Sequence, residues 1–145
     1  MKEVTFLDNY LNQLFYKKDT FNEVQNIEGK VFREYENRIT KQFEAQNKKY
    51  FIKFHGPVGW REIFKNLFQI KTPVIGAQRE YEALNHLSKN NINCPQIKGF
   101  GKKGINPANS SSFIITEELY GTLSLEEFYL RNLHKNLNFN QKCNL

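Results

Sequence analysis

The chain has 145 residues, with 21 basic against 15 acidic side chains and a net charge of +6. That is the size of one ordinary domain with a single core. Its 13 Phe and 7 Tyr exclude a disordered chain, and 8 Gly with 4 Pro exclude collagen-like or linker compositions. No apolar run approaches the ~20 residues that span a bilayer, and the charged N-terminus has no secretory core segment.

Phe6, Leu7, Tyr10, Leu11, Leu14 and Phe15 recur at helical spacing, so residues 5–16 read as an amphipathic helix. Asp19 and Thr20, with Glu23 following, form a start signal for a short second helix. The period then changes. Val31–Tyr35, Ile39–Glu44 and Lys49–His55 are rich in aromatic and β-branched residues and are separated by turn-forming stretches, which predicts a three-stranded antiparallel meander. Gly56-Pro57-Val58-Gly59 ends it, and a helix is expected over Arg61–Ile70, stopped by Pro73. Gly76–Lys89 reads as a clear helix, Gln96–Phe100 as a weak strand, Lys102–Ser111 as a polar loop and Ser112–Thr116 as a strong strand. Ser124 with Glu127 opens a last helix to about Leu133, and residues 134–145 show no period. The sum is an α+β arrangement: a five-stranded antiparallel sheet with packed helices. The organisation is an N-terminal helical segment (1–27), a sheet domain (28–119), a helix (120–133) and an unstructured tail (134–145).

A basic surface suits phosphate, whether on a nucleotide, a nucleic acid or a lipid headgroup, and does not choose among them. The two Cys, Cys94 and Cys143, and the three His make no metal-ligand spacing, and the thiols are read as reduced. More informative is Lys53, a lone cation in Tyr50-Phe51-Ile52-Lys53-Phe54-His55; such an ammonium wants a carboxylate or a phosphate. On the helix Gln78–Lys89, Glu80 lies on the apolar stripe of Ala77, Tyr81, Leu84 and Leu87, whereas Glu82 points away. A strand lysine paired with a glutamate of the following helix is the ion pair by which protein kinases hold ATP phosphates. No G-x-G-x-x-G occurs; Gly29 lies in Glu28-Gly29-Lys30-Val31, and if ATP binds, Arg38 or Lys30 must do part of the phosphate-covering work. Residues 113–119 leave a strand in a way that offers main-chain groups to an adenine edge.

Several blocks together resemble the lipopolysaccharide core heptose(I) kinase family: Glu28–Arg33, Tyr50–His55, Gly59–Leu67 with its Gly-Trp-x-Glu-Ile-x-Lys-Asn-Leu run, Pro73–Ala77, Glu80, Ser112–Leu119 and Ser124–Glu126. The resemblance covers residues 19–130 and implies a protein-kinase-like N-lobe and ATP-dependent phosphorylation of an inner-core heptose of lipopolysaccharide. It implies that Lys53 meets the α- and β-phosphates, that Glu80 is its partner, and that Glu117 and Leu119 lie where main chain meets adenine. It also implies Mg2+, a cytoplasmic location at the face of the inner membrane, and a peripheral contact there. Trp60, Glu62, Lys65 and Asn66 fall in a family insertion with no chemical role to assign.

The resemblance stops near the last helix. The only Asp residues are Asp8 and Asp19, so the catalytic and metal-binding Asp of the family's second lobe have no counterpart. The expectation is an N-lobe without its C-lobe, inactive alone unless a second chain supplies it, with apolar surface uncovered around Ile114–Leu119, Leu123–Leu133 and Leu87. The rival is a stand-alone nucleotide- or partner-binding domain. Nucleic-acid binding rests on charge and aromatics alone and is not expected.

Overall fold

The computed structural model describes residues 2–16, 19–68, 76–122 and 125–131. The chain opens with β1 (Lys2–Phe6), α1 (Asn9–Phe15) and α2 (Thr20–Asn26). It continues through the meander β2 (Lys30–Tyr35), β3 (Arg38–Ala45) and β4 (Lys48–His55). Then come α3 (Gly59–Phe68), α4 (Gln78–Lys89), β5 (Ile97–Lys103), a 3-10 turn (Pro107–Asn109), β6 (Ser111–Glu117) and α5 (Leu125–Leu130). The strands form one sheet in the order β1-β5-β6-β4-β3-β2, every neighbouring pair antiparallel. The β3–β4 hairpin turns at Gln46 and Asn47 with φ of 50° and 58°, the left-handed pair whose twist matches the flanking strands.

The sheet has six strands where the sequence predicts five, because residues 2–6 are extended and not the start of a helix. Val4 and Phe6 project to one side at period two, and the free edge of β5 takes the segment up: Val4 lies opposite Gly101, and the Leu7 N–H donates to the Lys98 carbonyl at 2.9 Å. The helix begins only after Asp8, whose Oδ1 accepts from the Tyr10 and Leu11 N–H groups at 2.9 and 3.1 Å. Asp19 caps α2 likewise through Asn22 N–H.

One face of the sheet carries the main core. Phe43, Tyr50, Ile52, Phe54, Phe113 and Ile115 pack there against Leu11 and Phe15 of α1 and Phe21 and Val24 of α2. The N-terminal segment is therefore built into the same core as the meander. On the other face Phe100 and Ile114 meet Ala77, which caps α4, and Tyr81 and Leu84 of the helix, which covers that end of the sheet. The expected apolar exposure is corrected at Ile114 and Ile115, which are buried because β6 is an inner strand with β4 and β5 on either side. Leu119, Tyr129 and Leu130 are exposed as expected, while Leu87 is half-buried. The tail at 134–145 lies outside the described residues, as do positions 123, 124, 132 and 133 of the last predicted helix and Pro73.

Candidate functional site

Strand register builds the site. Arg33 lies opposite Thr40, Thr40 opposite Lys53, and Lys53 opposite Ile114. Residues facing each other across antiparallel strands project to the same side, so this row runs across the α4 face. Ile114 is covered by the helix; Arg33, Thr40 and Lys53 lie beyond it. From the first turn of α4, Glu80 reaches down and its Oε1 accepts from Lys53 Nζ at 2.5 Å. The start of α4 is seated on the sheet by the Ala77 N–H, which donates to Ser112 Oγ at 2.8 Å. Gly76 precedes it at φ +81°, and a Cβ there would stand 2.6 Å from the same hydroxyl, so the approach requires glycine. The ion pair is 43% exposed at the lysine and 33% at the glutamate, and a pair so open to water contributes only about 0–1 kcal/mol to folding. Its arrangement is better suited to holding a cation in place for a ligand than to stabilising the fold.

Around the pair is a cleft of about 230 Å3, lined among others by Arg33, Arg38, Thr40 and His55. Arg33, Arg38 and Lys53 bring cationic hydrogen-bond donors to the cleft beside the Glu80 carboxylate, and such donors are the groups that pair with phosphate. Arg33, Thr40 and His55 are site residues that sequence reasoning missed. Arg33 ends the Glu28–Arg33 block, and pairing of the meander strands places it in line with Lys53. The β2 register shift between Val31 and Arg33 hides that alignment from a count along the chain.

His55 has its Nδ1 buried with no hydrogen-bond partner among the described residues. Burial, and then the Arg38 charge opposite it, hold its pKa below the ordinary 6.5. The folded chain thus resists protonation that the unfolded chain accepts. The stability linked to His55 is complete above the unfolded pKa and falls as pH drops below it. Denaturant titrations at about pH 7.5 and about pH 5.5 should show this loss, and His55→Gln should reduce it.

The other end of the site is the exit of β6. Glu117 lies opposite Tyr50, three residues along β4 from Lys53, which is roughly 10 Å at strand rise. Its carboxylate does not face the cleft. It pairs with Lys98 at 2.8 Å and Lys48 at 3.2 Å, and the hydrogen bond from Lys98 holds its pKa below the usual carboxylate value. Its N–H donates to the Gln96 carbonyl and that of Glu118 to the Lys49 carbonyl, at 3.0 and 2.9 Å. Beyond it the Leu119 carbonyl accepts from the Thr122 hydroxyl at 2.9 Å. Gln42 Nε2 donates to Glu118 Oε1 at 2.7 Å and ties this segment to β3.

The other two sequence candidates separate. Arg38 stands in the cleft, opposite His55. Gly29 instead packs the approach to β2 onto β3, where a Cβ would come within 2.3 Å of the Gln42 carbonyl oxygen; it does not line the Lys53 cleft. No group of three His, Cys, Asp or Glu able to hold a metal occurs among the described residues.

Comparison with known proteins gives a family model, curated relatives and a solved structure that this chain is similar to. The model of the lipopolysaccharide kinase (Kdo/WaaP) family matches residues 22–142. The chain is 46% identical over 118 residues to the lipopolysaccharide core heptose(I) kinase WaaP of Escherichia coli strain K12, covering 81% of this chain and 44% of that protein. It is 39% identical over 122 residues to the Pseudomonas aeruginosa protein of the same name, covering 84% of this chain and 46% of the relative. The chain thus spans less than half the length of the curated relatives it matches. Among solved structures, WaaP in complex with acyl carrier protein superposes with a TM-score of 0.70 at 27% identity, covering 94% of this chain and 48% of that one.

Proposed function

Because the chain belongs to the lipopolysaccharide kinase (Kdo/WaaP) family, we propose that it forms the ATP-binding lobe of a kinase that phosphorylates an inner-core heptose. The observation that carries this is the Lys53–Glu80 pair at 2.5 Å, set in a cleft with Arg33 and Arg38. In this reading Lys53 takes the α- and β-phosphates and Glu80 fixes the lysine against the sheet. Arg33 and Arg38 take the work of the absent glycine-rich loop. Adenine lies against the Glu117 carbonyl and the Leu119 main chain. ATP is the substrate and phosphoryl donor.

Mg2+ would be held by the phosphates and by carboxylates that these residues do not contribute, since no Asp follows Asp19. The acceptor-orienting group is proposed to come from outside residues 1–145 as well, in a second lobe or a second chain, and the work is placed at the cytoplasmic face of the inner membrane. The chain alone should therefore bind a fluorescent ATP analogue, displaceable by ATP, and transfer no phosphate to a heptose-containing acceptor. Turnover by homogeneous protein that is lost in Lys53→Ala would show that the catalytic groups lie within the chain. Absence of any nucleotide binding would favour the rival, a partner-binding domain. The carrier protein seen with the structural neighbour is the first partner to try in that case.

A further inference from the structure

The inner strand β6 carries buried apolar side chains on both faces, yet Ser112 sits in it, 3% exposed, beside Phe113, Ile114 and Ile115. A buried hydroxyl needs a partner, and this one finds it outside the sheet, where Ser112 Oγ accepts from the Ala77 N–H at 2.8 Å. The capping position of α4 is that same Ala77, which has no side chain able to cap, so the start of the helix is fixed by a strand 35 residues further along. The body of α4 is held lightly. None of its own side chains is fully buried. Its anchor is Tyr81, whose ring lies 4.3 Å from that of Phe100, with Leu84 about one turn on. An anchor on one stripe leaves a helix free to roll and tilt. The hydrogen bond to Ser112 supplies a second fixed point, at the end from which Glu80 reaches Lys53.

Without the hydroxyl the Ala77 N–H would be left buried and unpaired, since Ala77 is 1% exposed. Such a group is costly, so the helix start would lift until water reached it. Glu80, three residues on and less than one turn away, would move with it. Its Oε1 lies 2.5 Å from Lys53 Nζ, and a shift of about 1 Å takes that contact to the limit of a hydrogen bond. We propose that Ser112 is a positioning residue of the nucleotide site: its hydroxyl pins the start of α4 to the sheet, keeping Glu80 on Lys53 and the lysine aimed into the cleft. Gly76 belongs to the same device, because a Cβ there would stand 2.6 Å from the hydroxyl oxygen. The effect on nucleotide rests on the reading of the cleft as an ATP site; the dependence of the ion pair on Ser112 does not.

Two measurements on the full chain test these separately. A water-soluble carbodiimide joins a carboxylate to an amine in contact with it, and mass spectrometry of the digested chain quantifies the Lys53–Glu80 product with no ligand present. Lys98–Glu117, paired at 2.8 Å away from the cleft, is the internal reference. Ser112→Ala should lower the Lys53–Glu80 yield at least about threefold, in line with the loss of one hydrogen bond, and leave the Lys98–Glu117 yield unchanged. Titration with the fluorescent ATP analogue should show affinity weakened by roughly 3- to 10-fold in Ser112→Ala. In a Glu80→Gln background the same substitution should change affinity by less than about twofold, because no carboxylate is left to position. Equal Lys53–Glu80 yields in wild type and Ser112→Ala would overturn the proposal. A parallel fall in both yields, the mark of general loosening, would overturn it too, as would losses of affinity that add in full across the two backgrounds. A Lys53–Glu80 yield lowered by Ser112→Ala in a chain that binds no nucleotide would uphold the pin and overturn the ATP reading instead.

Discussion

Lys53→Ala should weaken the binding of ATP by roughly 10- to 100-fold while leaving the chain nearly as stable as before. A hydrogen bond to a charged group is worth about 1.5–3 kcal/mol, and the lysine is held in the cleft by the Glu80 carboxylate. The ion pair itself adds little to folding, since both partners remain open to water. Binding and melting are thus expected to separate. Glu80→Gln should give a smaller loss in binding, because it frees the lysine without removing it. Equal affinity for the analogue in wild-type and Lys53→Ala chains, measured by titration at low salt, would remove the ion pair from the nucleotide site.

Phe113→Ala is expected to be the most damaging single change in the fold, costing about 3–5 kcal/mol. The side chain is completely buried, stacks on Phe6 at 6.1 Å and meets Phe21 edge-on at 5.3 Å. It therefore joins β6 to β1 and to α2 at once, and its removal opens a cavity that three separate elements would have to collapse into. Against a domain stability of about 5–15 kcal/mol this is a large fraction, and melting should fall by on the order of 10–20 °C. Because Phe113 is on the α1 and α2 face and its neighbour Ile114 on the α4 face, ATP affinity well below the new melting point should be nearly unchanged. A loss under about 1 kcal/mol in denaturant titration would mean that the core repacks around the gap.

The elements legible in the chain are those whose signal is local. The meander is announced by period-two segments and by turn residues; Gln46 and Asn47 adopt the left-handed conformation that such a turn needs. The Lys53–Glu80 pair was readable because each partner lies on a periodic element whose face can be counted, and a carboxylate on an apolar stripe requires a counter-charge nearby. The family resemblance, resting on residue blocks in order, pointed the same way as the geometry.

What stayed hidden depends on contacts between distant segments. Lys2–Phe6 runs into α1 without a break in apolar spacing, and only the free edge of β5, about a hundred residues on, makes it a strand. The line of Arg33 with Thr40 and Lys53 depends on where the β2 bulge falls, which pairing settles and composition does not. Glu117 sits at the exit of β6 that the resemblance assigns to adenine, yet its carboxylate turns to the opposite face because it shares the parity of Phe113 and Ile115, and Lys48 and Lys98 hold it there. In α3 the apolar residues recur as they would in a core helix, yet Phe64 and Phe68 remain in solvent. Periodicity states which residues share a face; which face is covered depends on what the rest of the chain brings against it.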